Sequence, residues 1–572
     1  MGGTRGHRDR DPAHSVSDAG EMPGTPRGSG ARELPVSFVA GTHGLVAAPD
    51  RLAAEAGLAM LRSGGSAADA AVAASAVLAV TFQHACGLGG DLWAVAHPGR
   101  DPGSRRDGCE PGGVLALDGA GRAGSGADPE RLRRAGHSEM PRLGDPAVVP
   151  VPGCVDAWLS LHERLGRLPL DEVLAPAVDY AAGGFPASPG LAAAVPVVAG
   201  LPGAADYREP ERVVAGTVLR RPGVARTLRA IAADGRDAFY HGEFGSELLE
   251  LGGGEYRAED LDARQARWVA PLSISAFGHR LWGAPPSSQA YLTLAAAWIA
   301  DGLPLPEDPD EPGWAHLLVE ALRQASFDRN EVLFDGADGM ALLAPERLAA
   351  RRAAIDPLTA AGLRVPAAPG GTVACVAAGP DGDAVSLLQS NAAGWGSHLV
   401  TPGTRIFLHN RGLGFSLRPG HPAEYRPGRR PPHTLSPLLA TDEVGTFVAA
   451  LATMGGDSQP QVLLQLLTRL LRHDEEPGAA MAAGRFALGA ASRDAAARTG
   501  FDTWTEAGAT RVLLEGQVSG RWPAALAARG HPVELLGRFA PGFGHAQAVV
   551  AAGDALVGAS DPRSAAGGAA AW

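Results

Sequence analysis

"GTVACVAAGPDGDAVSLLQS", residues 371–390, places two strand-like runs on either side of a Gly-Pro-Asp-Gly-Asp turn. Each turn residue has a mechanical reason to be there: Pro presets φ, Asp bonds its own backbone, and Gly accepts φ > 0. The flanking runs of small and β-branched residues complete an antiparallel hairpin. If the pairing is symmetric about Asp381, Thr372 lies opposite Ser390. Opposed residues on antiparallel strands carry their Cβ atoms about 4.5–5.5 Å apart on one face. The two hydroxyls then fall within hydrogen-bonding reach, whereas a slip of one residue separates them.

A threonine hydroxyl is a weak nucleophile that needs a base, and no His or Asp near Thr372 in the sequence supplies one. Cutting the peptide bond before Thr372 would free its α-amine, with a pKa of roughly 7.7–8.0. An N-terminal amine serves as base in threonine variants of the nucleophile–base pair. Gly371 suits a bond under strain because it has no side chain and free choice of φ, and Ser390 is placed to position or polarise the Thr372 hydroxyl. Taken alone, the hairpin reads more readily as an ordinary one with Thr at its start. The rest of the chain has to decide.

Working outward, "APDRLAAEAGLAMLRSGG" predicts a helix with Pro49 at its first position and Gly64–Gly65 closing it. Ser66 and Asp69 then open a second, Ala-rich helix with a capping-box pattern. In "HACGLGGDLWAVAHP", Gly87, Gly89 and Gly90 match neither a P-loop nor a complete GxGxxG, so they predict a tight turn into a strand. Residues 150–356 are mostly helical by periodicity, with short strands such as "RLWGA". The connector "DPLTAAGLRVPAAPGG" leads to Thr372. Beyond it come strand-like "TRIFLHN", "TFVAALATM", "AQAVVAA" and "ALVGA", with one helix in "SQPQVLLQLLTRLLRH". The mixture predicts layered α/β architecture on antiparallel hairpins.

The 572 residues can bury a large core, and the formal charge of −12 disfavours nucleic acid or an anionic membrane as partner. Arg429–Arg430 reads as a solvated loop. Cys86, Cys109, Cys154 and Cys375 show neither disulfide nor zinc spacing, and Cys375, between Ala374 and Val376, reads as a buried, inert strand residue. Neither a metal nor an organic cofactor is expected. Residues 1–38 read as a disordered tail. With no signal region and no membrane span evident, a cytoplasmic protein is expected.

Further fragments carry a resemblance. "GLVAAPDRLAAEAGLAMLRSGGSAADAAVAA", "HACGLGGDLWAV", "VPGCVDAWLSLHERLGRLPLDEVLAPAVDYAAGGFPAS", "FYHGEFGSELL", the hairpin, "MGGDSQPQ" and "GASDPRS" occur in the order found in γ-glutamyltransferase (glutathione hydrolase) proenzymes. The chain therefore resembles that family of N-terminal-nucleophile hydrolases from about Gly44 to near its C-terminus. The resemblance implies a four-layer αββα sandwich and self-cleavage between Gly371 and Thr372. The products would be a large subunit, 39–371, and a small one, 372–572, which stay associated and can assemble into a higher homo-oligomer. It further implies Thr372 as nucleophile, Ser390 as its supporting hydroxyl, and the N–H groups of Gly455 and Gly456 as oxyanion donors. The implied substrate is a small-molecule amide, either hydrolysed or used as acyl donor.

The chain departs from glutathione-type members at the glutamyl head group. Ala120 stands where they have an Arg for the α-carboxylate, with Arg122 nearby. Gly414 stands where they have an Asp for the α-amine, Arg411 replaces a polar amide residue, and His433–Thr434 replaces a serine pair. Losing the Asp removes the partner a buried ammonium requires. The pattern is closer to the branch with oxamate-type amide hydrolases and acylases. There Arg411 and Arg122 are expected to hold a substrate carboxylate, although γ-glutamyl compounds and glutathione stay candidates. Two other readings stay open: a non-catalytic, uncut member acting as a binding or scaffold protein, and a Ser-His-Asp hydrolase. The second lacks G-x-S-x-G, and His84, His398, His409 and His433 show no partners by spacing, so they read as ordinary surface or loop histidines.

Overall fold

A computed structural model of the chain describes residues 38–99, 113–207, 209–363, 371–489 and 511–572. The expected tail (apart from Phe38), Cys109 and the last part of the connector, 364–370, lie outside the described residues.

Strand alternation builds the centre. In Gly371–Ala378 every residue is buried, yet the two faces go to different cores. Val373, Cys375 and Ala377 turn toward helices, and Ala374, Val376 and Ala378 toward a second sheet. A strand buried on both faces needs small or branched apolar residues at every position, and this sequence supplies them.

The hairpin occupies the middle of a seven-stranded sheet. Its order is Gly568–Ala571, Leu45–Ala48, Gly371–Ala378, Asp383–Ala392, Asp91–Pro98, Leu115–Gly119 and Arg267–Val269. The second sheet runs Val39–Gly41, Ala555–Ser560, Ala546–Ala552, Phe447–Thr453, Leu438–Thr441, His279–Gly283 and Leu272–Ala276. All pairings within both sheets are antiparallel.

Between the sheets, Leu45, Val95, Val376 and Leu388 pack with Leu439, Ala450 and Val549. The helices Arg51–Arg62, Ala67–Thr81 and Cys154–Leu165 cover the outer face of the first sheet. Ala290–Asp301, Pro312–Ser326 and Gln459–Leu467 cover that of the second. The architecture is thus the four-layer αββα sandwich. Strands from before and after residue 371 interleave in both sheets, so a cut at that point leaves the two pieces joined through backbone ladders.

Local detail follows the sequence with three corrections. The Ser66–Asp69 capping box is present, and all 15 residues of its helix are buried, as expected of a helix apolar all round. The first helix begins at Arg51, however, because Asp50 caps it by accepting from the Leu52 N–H; Pro49 lies outside. "TRIFLHN" is not a strand: Phe407 and Leu408 make only isolated bridges, to Val400 and Gly89. Arg430 is not solvated but buried, within 3.4 Å of Asp118 and donating to the Gln265 carbonyl. Cys375 is buried as expected, and burial pushes its thiol up to about 12.

Candidate active site

The hairpin register sets Thr372 opposite Ser390, and on the next strand Ser390 lies opposite Asp91. The three residues form a row across three neighbouring strands, on the face turned toward the second sheet, and all are fully buried. At Gly371 the register shifts. Gly371 pairs with Ala392 and Thr372 with Ser390, so Asn391 is passed over. Such a bulge re-aims side chains beside it, and Ala392 takes a left-handed φ of 72°, a conformation that costs a non-glycine residue energy.

Ser390 is the hub. Its Oγ donates to the Gly371 carbonyl oxygen at 2.6 Å and lies 3.1 Å from Thr372 Oγ1. It accepts from the Ala392 N–H at 2.8 Å and from Arg411 Nη2 at 2.9 Å. Close approach of the Gly-rich turn completes the wall. A Cβ on Gly90 would stand 2.3 Å from the Ser390 carbonyl oxygen, and one on Gly89 2.4 Å from that of Phe407.

Arg411 is buried and largely committed. Its Nε donates to Asp91 Oδ2 at 2.6 Å, Nη2 reaches Asp91 Oδ1 at 3.3 Å, and Nη1 donates to Thr434 Oγ1 at 3.1 Å. Asp91 also meets His409 Nδ1 at 3.2 Å and His433 Nε2 at 3.0 Å. Burial alone would raise the Asp91 carboxyl, but Arg411 and the two imidazoles outweigh it and hold it well below the usual carboxylate range. Burial, reinforced by Arg411, pushes His433 down to about 4 against the pull of Asp91. His433 is therefore neutral at pH 7. The Leu435 N–H points at its Nδ1, which assigns the ring proton to Nε2, facing Asp91. His409 and His433 thus lie on loop segments, as expected, but are fully buried and not at the surface. Their ring nitrogens meet Asp91, the Pro150 carbonyl and the Leu435 N–H, not a serine hydroxyl.

Gln289 joins the remaining part: its Nε2 donates to the carbonyls of Thr434 and Gly456, at 2.9 and 3.0 Å. Gly455 and Gly456 have φ of 136° and 55°, and a Cβ on Gly455 would lie 2.4 Å from Ser458 Oγ. The Gly455 carbonyl accepts from the Ser458 N–H and Oγ. With both carbonyls tied down, the peptide planes of the turn are fixed. A cavity of about 980 Å³ opens beside this assembly, lined among others by Ala392, Arg411, Gly414, Thr434, Asp457 and Arg142.

Arg122 does not line that cavity; it is half-buried after Leu115–Gly119. Ala120 is packed between the sheets. Asp91, His409, Gln289 and Arg142 were not singled out from sequence as site residues. The one signal was Asp91 at the head of a strand directly after Gly89–Gly90.

Among the described residues, one group could hold a metal by ligand type: His316, Glu320 and His531. Its geometry is that of a clamp. His316 Nδ1 and His531 Nε2 are 2.7 Å apart, too close to flank an ion, and Arg323 pairs with Glu320 at 3.0 Å. Glu320 accepts from the Ala361 N–H and Arg323 donates to the Ala361 carbonyl, which anchors the first part of the connector.

No helix among the described residues is long and apolar enough to cross a membrane. The family model for γ-glutamyltranspeptidase matches residues 53–572. The chain is 35% identical to the oxamate amidohydrolase proenzyme of Klebsiella pneumoniae over 91% of its own length and 97% of that protein's. It is 33% identical to the glutathione hydrolase-like YwrD proenzyme of Bacillus subtilis, covering 92% and 98%. The crystal structure of cephalosporin acylase from Bacillus halodurans superposes with a TM-score of 0.82 at 30% identity, over 96% of this chain and 99% of that one. The chain belongs to the γ-glutamyltranspeptidase family of self-processing N-terminal-nucleophile amide hydrolases and acyltransferases.

Proposed function

We propose that the protein cuts itself between Gly371 and Thr372 and then uses Thr372 to hydrolyse, or transfer the acyl group of, a small anionic amide. The observation that carries this reading is Ser390 Oγ, 2.6 Å from the Gly371 carbonyl oxygen and 3.1 Å from Thr372 Oγ1. One hydroxyl touches both the nucleophile and the oxygen on which charge develops. Once cut, residues 39–371 and 372–572 stay together through the shared sheets, and the new α-amine of Thr372 acts as base. The substrate carbonyl takes the place of the Gly371 carbonyl, with the N–H groups of Gly455 and Gly456 as oxyanion donors. Such donors are commonly worth about 2.7–4 kcal/mol.

The head group is read from what the cavity admits. A Cβ on Gly414 would sit 2.4 Å from the Pro432 carbonyl oxygen, so this backbone leaves no room for a carboxylate side chain at that position to meet a substrate ammonium. Arg411 is spent on Asp91, Ser390 and Thr434. Arg133, Arg329 and Arg418 pair with Glu424, Asp457 and Glu331. Arg142 is exposed on the cavity wall and has no carboxylate partner among the described residues. It is the residue we assign to a substrate carboxylate, in place of Arg411 and Arg122. Oxamate-like and acyl-amide compounds of this type fit better than γ-glutamyl ones.

The test is a denaturing gel of the wild type and Thr372→Ala. Two wild-type bands, the smaller beginning with Thr372, and one uncut band in the variant support the reading. A wild type that stays as one band overturns it and favours an uncut binding protein.

A further inference from the structure

We propose that Asp91 is a positioning residue for self-cleavage, acting through Arg411 on the Ser390 hydroxyl; the inference rests on the reading that Gly371–Thr372 is the bond cut. Asp91 itself touches neither reacting atom. What it does is hold a guanidinium side-on, Nε to Oδ2 at 2.6 Å and Nη2 to Oδ1 at 3.3 Å, so that Nη2 also reaches Ser390 Oγ at 2.9 Å. The strand ladder makes this arrangement rigid. Asp91 and Ser390 are register partners, His409 and His433 contact Asp91 Oδ2 from other segments, and Thr434 Oγ1 takes the remaining Arg411 arm. A paired carboxylate–guanidinium fork is geometrically demanding, and here it fixes a positive charge one hydrogen bond from Ser390 Oγ, which in turn bonds the scissile carbonyl.

The chemistry follows from that placement. A hydroxyl has one proton and two lone pairs, and the Ser390 proton is directed at the Gly371 oxygen. As Thr372 Oγ1 forms its bond to the Gly371 carbonyl carbon, Ser390 passes its proton to that oxygen, and the lone pair so freed, beside the two held by the Ala392 N–H and Arg411 Nη2, takes the proton leaving Thr372 Oγ1. The negative charge passing through Ser390 Oγ is stabilised by the Nη2–H and cation of Arg411, in a buried site where such stabilisation is strong. Collapse of the tetrahedral carbon breaks the C–N bond, and the proton on its oxygen is delivered to the Thr372 nitrogen. The result is an ester between the Gly371 carbonyl and Thr372 Oγ1. Water then cleaves the ester to a Gly371 carboxylate and a Thr372 with free hydroxyl and amine. Atoms balance with one water consumed and no other reactant.

The experiment follows self-cleavage by gel time course after cell-free synthesis of the full chain, in wild type, Asp91→Asn, Arg411→Gln, Ser390→Ala and the Asp91→Asn/Ser390→Ala double variant. Circular dichroism and gel filtration check folding. The expected result is at least 10-fold slower cleavage in Asp91→Asn and in Arg411→Gln, with no further slowing by Asp91→Asn once Ser390 is Ala. That non-additivity is the readout a purely structural role does not produce. Wild-type rates in either single variant, or an equal slowing by Asp91→Asn with and without the Ser390 hydroxyl, overturn the proposal. If Asp91→Asn does not fold, the Arg411→Gln rate and its own double variant with Ser390→Ala decide in the same way. A wild type that never cleaves sinks the parent reading instead, which keeps the two failures distinct.

Discussion

Ser390 Oγ lies 2.6 Å from the Gly371 carbonyl oxygen, with Ser390 as donor, so the carbonyl of the bond proposed to be cut is already polarised in the uncut chain. The donor is delivered by register. A bulge that skips Asn391 sets Ser390, not its neighbour, opposite Thr372. Ser390→Ala is expected to slow cleavage at least 10-fold, and Ser390→Thr to retain most of it because the hydroxyl is kept. Time-resolved gels measure both; a Ser390→Thr chain as slow as Ser390→Ala would show that the hydroxyl is not what matters.

The Gly455–Gly456 turn, proposed above as the oxyanion donor, gives a second prediction. Gly455 has a φ of 136° and a Cβ there would stand 2.4 Å from Ser458 Oγ, so Gly455→Ala must shift the turn. Turnover of a cleaved, assembled enzyme should fall on the order of 100-fold, the scale of a lost oxyanion donor. Steady-state kinetics on an acyl-amide substrate tests this, and an unchanged kcat would remove the turn from the mechanism.

The fold and the hairpin were legible because they depend on local signals. A Pro-Asp-Gly turn, alternation about Asp381 and the Ser66–Asp69 cap each act within a few residues. The supports of the site were only partly legible. Arg411 and His433 were reached through the resemblance alone, and as substrate contacts; they and His409 meet Asp91 because loop segments more than 300 residues away in sequence fold against its strand, and a lone His or Asp carries no mark of that. "TRIFLHN" failed as a strand for the same reason: its neighbours offer isolated bridges and not a ladder. Arg430 looked solvated because its partner Asp118 is 312 residues away.

Arg142 carries the specificity prediction. Hydrogen bonds to charged groups are worth about 1.5–3 kcal/mol, which corresponds to roughly 10- to 100-fold in affinity. Arg142→Ala should therefore raise KM for an anionic amide by about that factor, with little change for a neutral amide of the same size. Equal effects on both would show that Arg142 does not read the charge.

Gly414→Asp tests whether the lost head-group carboxylate can simply be restored. The added Cβ meets the Pro432 carbonyl at 2.4 Å, a backbone atom that cannot rotate away. Overpacking of this kind typically costs about 1–3 kcal/mol. We expect a lower unfolding midpoint and no gain of γ-glutamyl hydrolysis. A variant of wild-type stability that acquires that activity would mean the loop accommodates Asp.

Acid sensitivity follows from two buried imidazoles. Burial, with Arg411, holds His433 at about 4, and burial, with Arg323 and His316, holds His531 at about 3. Both lie below the unfolded value of about 6.5, so between those limits the unfolded chain binds more protons than the folded one. Stability therefore rises with pH across this window: it is fully present above about 6.5 and is lost as pH falls toward 4. The slope is at most about 1.4 kcal/mol per group per pH unit. His531 closes the clamp on Glu320 and Arg323, remote in sequence from Thr372, so it can be altered separately from the nucleophile. The comparison is best made on the uncut Thr372→Ala chain, with and without His531→Asn, by denaturant unfolding at pH 7, 6 and 5. The His531→Asn chain should be less stable at pH 7 yet lose less on acidification. Parallel pH profiles in the two chains would show that His531 binds protons equally in the folded and unfolded chain, so that burial does not depress it.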